Sequence, residues 1–236
     1  MILPSEPLPK PGHSHRGASA GQTALKRTLD IVISGIGLLC LAPVFPILAL
    51  LIKLDSRGPV LYAQERIGQN RRRSRNGSVP GGRDQRRSDS FGRPFKIYKL
   101  RTMVADAERN TGPVWAAPKD ARVTRLGRIL RKTRLDETPQ LWNVLKGEMS
   151  IVGPRPERPV FVASIAESLP DYPMRCSALP GITGLAQVKS RYDSSIETVN
   201  RKLQYDLYYV RHGRLILDLK IMAATVKVMA RGEGAH

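Results

Sequence analysis

Two adjacent carboxylates, Asp136 and Glu137, stand in a stretch of the chain whose other charged side chains are mostly cationic. The basic residues around the pair are Arg128, Arg131, Lys132, Arg134, Arg155 and Arg158. This is more positive charge than two carboxylates need as counter-ions. Because guanidinium groups bind phosphate oxygens strongly, a carboxylate pair in this setting suits chemistry on a phosphorylated substrate.

The pair precedes a short predicted helix. Leu141, Trp142 and Leu145 recur at helical spacing, and Pro139 is tolerated in a first turn. Asp136 is therefore expected at or just before the helix start, where exposed amides and the helix dipole favour an anion. A purely structural role fits the same position, because Asp is a common N-cap residue. The spacing alone leaves both roles open.

Composition narrows the classes of function. The 236 residues carry 39 Lys and Arg against 20 Asp and Glu, a net charge of +19, which predicts an anionic partner: nucleic acid, acidic lipid or a phosphorylated ligand. Only 6% of residues are aromatic, and the basic runs lack the interleaved aromatic side chains of a single-strand stacking platform. Cys40 and Cys176 stand far apart and the histidines are scattered, which argues against a disulfide framework, a CxxC motif or a histidine metal site.

An uncharged apolar run follows a polar tail. Residues 1–25 are rich in Pro and Gly without apolar periodicity, and we expect them to be disordered. Residues 31–52 carry no charge, and as a helix they would extend about 33 Å, enough to cross a bilayer. Pro43 and Pro46 interrupt this run and basic residues flank both of its ends. A bent helix that enters and leaves by one face is therefore the alternative to a spanning anchor.

Two strand-like runs, Val60 to Ile67 and Pro94 to Arg101, predict a β-hairpin. The segment between them, residues 69–93, is rich in Arg, Gly and Ser and is expected to be a mobile basic loop. It either binds anionic lipid headgroups or is a tolerated solvated insertion. With a period of two, Lys99 and Arg101 share a face of the second strand.

The second half of the chain is predicted to be largely helical. A strand is expected at residues 186–188 after a turn-rich loop, and helices are expected at residues 123–133, 160–169 and 196–210. A last helix carries apolar side chains at spacings of four and three residues, at Leu215, Leu219, Met222, Val226 and Met229. Core packing and docking at a membrane interface both fit this stripe.

Four segments in the order KIYKLRTM, RKTRLDETPQLWNVLKGEMSIVGPRPE, LPGITGLAQV and YDLYYV resemble the bacterial sugar transferase family, the small monotopic phosphoglycosyl transferases. The resemblance implies an α+β fold: a mostly helical small catalytic domain with a short β-hairpin, an N-terminal re-entrant membrane helix broken at Ala42-Pro43, and amphipathic interfacial helices. The expected organisation is a disordered tail (1–25), the re-entrant helix (26–54), the catalytic domain (55–200, with the basic insertion at 69–93) and C-terminal amphipathic helices (201–236).

The same resemblance implies transfer of a sugar 1-phosphate from a UDP-sugar to undecaprenyl phosphate, at the cytoplasmic face of the bacterial inner membrane. UMP would be released and a lipid-linked glycan begun, of exopolysaccharide, capsule or O-antigen type. Asp136 is the expected nucleophile, since a carboxylate is already ionised at neutral pH, and it would carry a covalent phosphosugar. Glu137 is the expected ligand of a Mg²⁺ cofactor. The expected phosphate-binding residues are Lys99, Arg101, Arg131, Arg155 and Arg191.

Two residues depart from the family pattern: Arg134 stands where Ser is common, and Thr138 where Leu is common. They leave the choice of sugar open. The charge of +19 and the arginine-rich insertion suggest a membrane-tethered nucleic-acid-binding protein as the alternative. That alternative leaves the Asp136-Glu137 pair and the Gly-Pro-Arg-Pro turn unexplained, so we expect no nucleic-acid partner. The oligomeric state is open, with a homodimer as one option.

Overall fold

The computed structural model describes residues 20–70, 91–109, 112, 114, 120–190 and 196–231. The helices are α1 Ala20–Leu41, α2 Phe45–Asp55, α3 Arg125–Lys132, α4 Gln140–Lys146, α5 Pro159–Ser168, α6 Leu185–Lys189, α7 Ile196–His212 and α8 Leu215–Ala230. The strands are β1 Leu61–Ile67, β2 Pro94–Leu100, β3 Ser150–Val152 and β4 Gly181–Thr183, and 3-10 turns cover Leu135–Glu137 and Tyr172–Ser177. The described chain is thus mostly helical with small sheets, which confirms the predicted α+β class.

The hairpin prediction is confirmed. β1 and β2 pair in antiparallel register from Leu61 opposite Leu100 to Ile67 opposite Pro94. The hydrogen bond from Gly68 N to Arg93 O, 2.9 Å long, continues the pairing beyond the strands. Most of the basic insertion, residues 71–90, lies outside the described residues.

The apolar run forms a bent pair of helices. The chain turns over residues 42–44, and α1 and α2 meet there at an angle of 63°. In the part of the chain that the structure describes, no single helix has the length and apolar composition of a membrane span, whereas α1 and α2 taken together do. The break falls at the predicted Ala42-Pro43 pair. Because α1 begins at Ala20, residues 20–25, which the sequence assigns to the disordered tail, are helical.

One face of α2 packs against β2 and α3. Leu48 and Ile52 are buried with Leu100 of β2 and Leu130 of α3 in one apolar cluster. The opposite face is exposed, with Ile47, Leu50 and Leu54 at 61%, 61% and 74%. This helix therefore has an inward face that docks on protein and an outward face without apolar cover among the described residues.

The N-terminal part of α1 is anchored on β3 and on the carboxyl end of α4. Asp30 Oδ1 accepts hydrogen bonds from Ser150 Oγ at 3.1 Å and from Ile151 N at 2.9 Å. Lys26 Nζ donates to Val152 O at 3.1 Å. Arg27 donates to two carbonyls at the carboxyl end of α4, which satisfies groups that the helix itself leaves unpaired. All of β3 thus rests on side chains of α1.

A small parallel sheet replaces the strand predicted at residues 186–188. β3 pairs with β4 at Gly181–Thr183, and residues 186–188 lie in α6 instead. The close approach depends on glycine, because a Cβ on Gly181 would lie 2.1 Å from Gly153 N. The turn-rich loop is therefore a strand partner, and a short-range pattern cannot show this pairing across the chain.

The apolar stripe of α8 is only partly covered. Leu219, Val226 and Met229 are 49%, 67% and 44% exposed, whereas Asp218 and Ile221 are buried. Asp218 accepts from Lys26 Nζ at 2.9 Å and pairs with the Tyr209 hydroxyl at 2.7 Å. Met222 of the same stripe packs against the apolar cluster that contains Tyr209 and Ile221, so the core-packing interpretation holds for that part of the stripe. Docking at an apolar surface remains the prediction for the exposed residues.

Candidate active site

Asp136 and Glu137 lie on the 3-10 turn between α3 and α4. Arg134 adopts the left-handed conformation, with φ of 60°, and turns the chain out of α3. Leu135 then packs against the apolar cluster under α2, which fixes the turn and leaves each carboxylate residue only 7% exposed. The N-cap residues here are Arg134 and Pro139, neither with a side-chain capping bond, so the capping interpretation of Asp136 is wrong.

Glu137 is clamped by cations. Its Oε1 accepts from Lys99 Nζ at 2.9 Å and from Arg155 Nη2 at 2.7 Å, and Arg134 Nη1 lies 3.9 Å from Oε2. Burial alone would raise the pKa of Glu137, but the charges and hydrogen bonds of Arg155 and Lys99 hold it well below its usual range. Glu137 is therefore ionised throughout the neutral range, and one of its oxygens is fully engaged.

Asp136 has the opposite electrostatic character. Burial, and then the charge of the adjacent Glu137, raise the pKa of Asp136, while Lys99, Arg131 and Arg155 oppose the rise. No hydrogen bond or ion pair joins Asp136 to the described residues. One carboxylate is thus held as a structural anion, and its neighbour is left more basic and without a hydrogen-bond partner in the part of the chain that the structure describes. This is the pattern expected of a nucleophile beside a supporting carboxylate.

Lys99, Arg131 and Arg155, all predicted from the sequence, meet around the two carboxylates. Thr102 Oγ1 accepts from Arg131 Nε at 2.9 Å and so orients that guanidinium. Burial lowers the pKa of Arg131, and Asp136 is the first charge that opposes this. The three cations come from β2, α3 and the turn after β3, elements that are far apart in sequence.

Arg101 is not brought to the carboxylates. β2 ends at Leu100, so strand alternation does not extend to the next residue. The Arg101 guanidinium instead donates through Nη2 to Ile52 O and Ser56 O at the carboxyl end of α2. The prediction that it binds phosphate alongside Lys99 has no geometric support. Arg191, the remaining predicted phosphate ligand, lies outside the described residues.

The sequence analysis missed a buried ion pair that holds the Arg155 turn. Arg175 donates through Nε to Asp206 Oδ2 at 2.8 Å, and its Nη2 lies 2.7 Å from the same oxygen. Its Nη2 also donates to Arg155 O at 2.9 Å, and its Nη1 donates to the Tyr172 hydroxyl at 3.1 Å. Asp206 lies on the inner face of α7 within the YDLYYV segment. An acidic residue among apolar ones on a buried helix face needs a buried cation as partner, and this is how the sequence could have indicated the ion pair.

The carboxylate pair fits a magnesium ion shared with substrate. Within the described ranges, no group of three or more His, Cys, Asp and Glu side chains is arranged to hold a metal. Mg²⁺ is commonly bound through one or two carboxylates together with substrate phosphates and waters. Asp136 and the less engaged oxygen of Glu137 meet that requirement.

The sequence of the chain matches a known family and several characterised relatives. Residues 21–76 and 77–232 match the family model described as Bacterial sugar transferase. The chain is 38% identical over 212 residues to the UDP-N-acetylgalactosamine-undecaprenyl-phosphate N-acetylgalactosaminephosphotransferase of Aeromonas hydrophila, an alignment that covers 90% of this chain and 45% of that protein.

The alignments with two further relatives extend over more of those proteins. The chain is 36% identical over 239 residues to the UDP-glucose:undecaprenyl-phosphate glucose-1-phosphate transferase of Caulobacter vibrioides, which covers 100% of this chain and 77% of that protein. It is 38% identical over 216 residues to the exopolysaccharide production protein PSS of Rhizobium leguminosarum bv. phaseoli, which covers 89% of this chain and 98% of that protein. The chain therefore spans less than half of the Aeromonas protein and most of the other two.

Proposed function

The chain belongs to the bacterial sugar transferase family, and we propose that it transfers a sugar 1-phosphate from a UDP-sugar to undecaprenyl phosphate. The observation that carries the proposal is the contrast between two adjacent buried carboxylates. Glu137 is paired with Lys99 and Arg155, and Asp136 has no partner among the described residues. The relatives named above for this kind of transfer support the choice of donor and acceptor.

The reaction runs in two displacements at one phosphorus atom. The Asp136 carboxylate attacks the phosphorus that bears the sugar, the anhydride bond breaks, and UMP leaves with the bonding electrons. An oxygen of the lipid phosphate then attacks the same phosphorus, the acyl phosphate bond breaks, and the Asp136 carboxylate is regenerated. Both nucleophiles are anions at neutral pH, so neither step needs a general base.

The two carboxylates are suited to different parts of this chemistry. An oxygen that accepts two charge-assisted hydrogen bonds is a weak nucleophile, so Glu137 is the poorer candidate. Its role is to hold Lys99 and Arg155 beside Asp136, where their charges stabilise the phosphoryl group during transfer. A carboxylate with a raised pKa is more nucleophilic, and this favours Asp136.

Arg155 and Arg131 are the proposed phosphate ligands. The Arg155 side chain is 35% exposed and bonds Glu137 through Nη2, which leaves the rest of its planar fork for a phosphate oxygen. Thr102 orients the Arg131 guanidinium through a hydrogen bond from Nε. When bound, Mg²⁺ would supply charge neutralisation for the diphosphate, with Asp136 and Glu137 as the protein groups that hold it.

We propose that the α1–α2 pair is re-entrant and that both of its ends lie at the cytoplasmic face. The start of α1 is hydrogen-bonded to β3, and the end of α2 is capped by Arg101 and packed on β2 and α3. Both ends therefore contact the same catalytic unit. That arrangement supports entry and exit on one side of the bilayer, with the lipid phosphate approaching the site from the membrane.

The sugar remains to be identified, because the relatives carry names for both N-acetylgalactosamine and glucose transfer. Purified protein given undecaprenyl phosphate and a panel of UDP-sugars should release UMP over many turnovers from one of them, and repeated turnover should require the lipid. Asp136→Asn should abolish release, while Asp171→Asn, the same change at an exposed acidic residue, should not. Lipid-independent turnover, or full activity of Asp136→Asn, would contradict the proposal.

A further inference from the structure

The side chain of Asn143 on α4 lies against the edge of β2 that β1 does not occupy. Its Oδ1 accepts from Tyr98 N at 3.3 Å, and its Nδ2 donates to Lys96 O at 2.7 Å. Lys96 and Tyr98 are two positions apart, so these backbone groups point to the same edge of the strand, and β1 pairs with the opposite edge. With one acceptor and one donor, the amide takes the place of a neighbouring strand.

Asn143 is itself held in one position. The residue is fully buried, at 0% exposure. Its Nδ2 also donates to Glu148 Oε2 at 2.7 Å, so both the nitrogen and the oxygen of the amide are paired. Its backbone carbonyl accepts from Glu148 N and Met149 N at the end of α4. A buried polar group with all of its bonds made is rigid, so Asn143 fixes the position of β2 relative to α4.

The contact between β2 and α4 lies beside the reaction site. Lys99 follows Tyr98 on β2, and Glu137 lies on the 3-10 turn three residues before α4 begins. The ion pair between Lys99 Nζ and Glu137 Oε1, 2.9 Å long, joins the two elements. Ile97 shares the Lys99 face of the strand and packs with Val144 of α4. A shift of β2 along α4 would therefore move the Lys99 ammonium group with it.

We propose that Asn143 is a positioning residue for the reaction: it fixes β2 against α4 and so places the Lys99 ammonium group where that charge stabilises the phosphoryl group during transfer. This inference rests on the proposed function and adds to it a residue that touches no substrate. A misplacement of about 1 Å can cost about 100-fold in rate. Asn143 therefore acts on kcat through Lys99.

The first experiment measures UMP release by Asn143→Asp, using the purified full chain. This change keeps the size of the side chain and the acceptor for Tyr98 N, and it removes both N–H donors. It should lower kcat at least about tenfold and change KM for the UDP-sugar by less than about twofold, because the misplaced charge acts in the transition state. Asn143→Ala, which admits water to the strand edge, takes its place if Asn143→Asp does not fold.

Two controls separate this effect from added charge and from lost stability. Asn200→Asp is the same change at an exposed residue of α7 and should leave kcat unaltered. Val162→Ala opens a cavity in a separate apolar cluster and should lower Tm while kcat is retained at a temperature where the variant is folded. If Asn143→Asp and Val162→Ala have the same kcat under these conditions, the proposal is overturned.

The second experiment removes the Lys99 ammonium group first, and it follows single-turnover UMP release for hours so that slow variants can be measured. In the Lys99→Met background, Asn143→Asp should lower Tm as much as it does in the unaltered protein. It should reduce the rate by less than about twofold there, because no ammonium group is left to misplace. A residue that only stabilises the fold would reduce both quantities equally in both backgrounds.

An undiminished loss of rate in the Lys99→Met background, or full activity of Lys99→Met alone, would overturn the proposal. Absence of UMP release by the unaltered protein would instead refute the proposed function.

Discussion

Asp30 offers a sharp test of how the first helix is joined to the site. Asp30 is only 3% exposed, and its Oδ1 accepts hydrogen bonds from Ser150 Oγ and Ile151 N of β3. Asp30→Ala removes the acceptor for both donors, in a place that water does not reach freely. Asp30→Asn keeps a neutral carbonyl acceptor and removes only the charge.

The two substitutions differ in expected cost. A buried donor left without an acceptor costs about 1–3 kcal/mol, so two such donors predict about 2–6 kcal/mol for Asp30→Ala. Exchanging charge-assisted for neutral hydrogen bonds predicts about 1 kcal/mol for Asp30→Asn. For a chain of this size, 1 kcal/mol corresponds to about 2–4 °C in Tm. Asp30→Ala should thus lower Tm by about 4–24 °C, against about 2–4 °C for Asp30→Asn.

The assay is thermal unfolding of the detergent-solubilised full chain, followed by UMP release at a temperature where each variant is folded. Arg155 follows β3 closely in sequence, so a shifted strand should also reduce turnover. Asp55→Ala is the control, because Asp55 is an exposed residue at the end of α2. If Asp30→Ala lowers Tm no more than Asp55→Ala does, the contacts of Asp30 contribute nothing and the reasoning is wrong.

Three further predictions concern the pH profile, the topology and the basic insertion. Because burial and Glu137 raise the pKa of Asp136, kcat/KM should fall as pH drops through that raised pKa. Glu137→Gln removes the neighbouring anion, so it should move this acid limb of the pH profile to lower pH, at reduced activity. An acid limb that does not move would exclude Asp136 as its source. Cysteines placed at residues 20 and 60 should both be labelled from the cytoplasmic side only, and periplasmic labelling of either one would establish a spanning helix. Deleting residues 70–91 should weaken binding to anionic liposomes mainly at low salt, by up to about 1 kcal/mol per basic residue at the surface. Turnover on detergent-soluble substrate should be retained. Unchanged liposome binding would favour a solvated loop.

Local patterns in the sequence were sufficient for much of the fold. Strand alternation predicted the β1–β2 hairpin, and helical spacing predicted α3, α5, α7 and α8 to within a few residues. The chemistry-bearing pair was also visible, because adjacent carboxylates among many cations are unusual. These features depend on residues close together in the chain, which is why periodicity and charge could show them.

The features that the sequence did not predict depend on contacts between residues far apart in the chain. β4 exists because Gly181 approaches Gly153 closely enough to pair with β3, and no local pattern distinguishes it from a turn. Arg101 caps α2 because the strand ends one residue earlier, so its guanidinium follows tertiary contacts and not the strand period. Leu219, Val226 and Met229 of the α8 stripe are exposed, whereas Asp218 is held inward by Lys26 and Tyr209.

Asp136→Asn separates chemistry from folding at the central residue. A folded-state pKa that is raised means that protonation favours the folded state, so ionised Asp136 reduces stability as pH rises above the usual Asp range. At neutral pH the neutral Asn removes that cost. Asp136→Asn should therefore unfold at the same Tm as the unaltered protein or at a higher one. A markedly lower Tm would show that Asp136 has a structural role.

The most direct test of the mechanism is the mass of the peptide that contains Asp136 after incubation with the UDP-sugar and Mg²⁺ in the absence of lipid. A covalent route predicts release of at most one UMP per active site, together with the added mass of the sugar phosphate on that peptide. Adding undecaprenyl phosphate should discharge the modified peptide, and Asp136→Asn should never become modified. UMP release in the presence of lipid without any modification of Asp136 under single-turnover conditions would contradict the covalent mechanism.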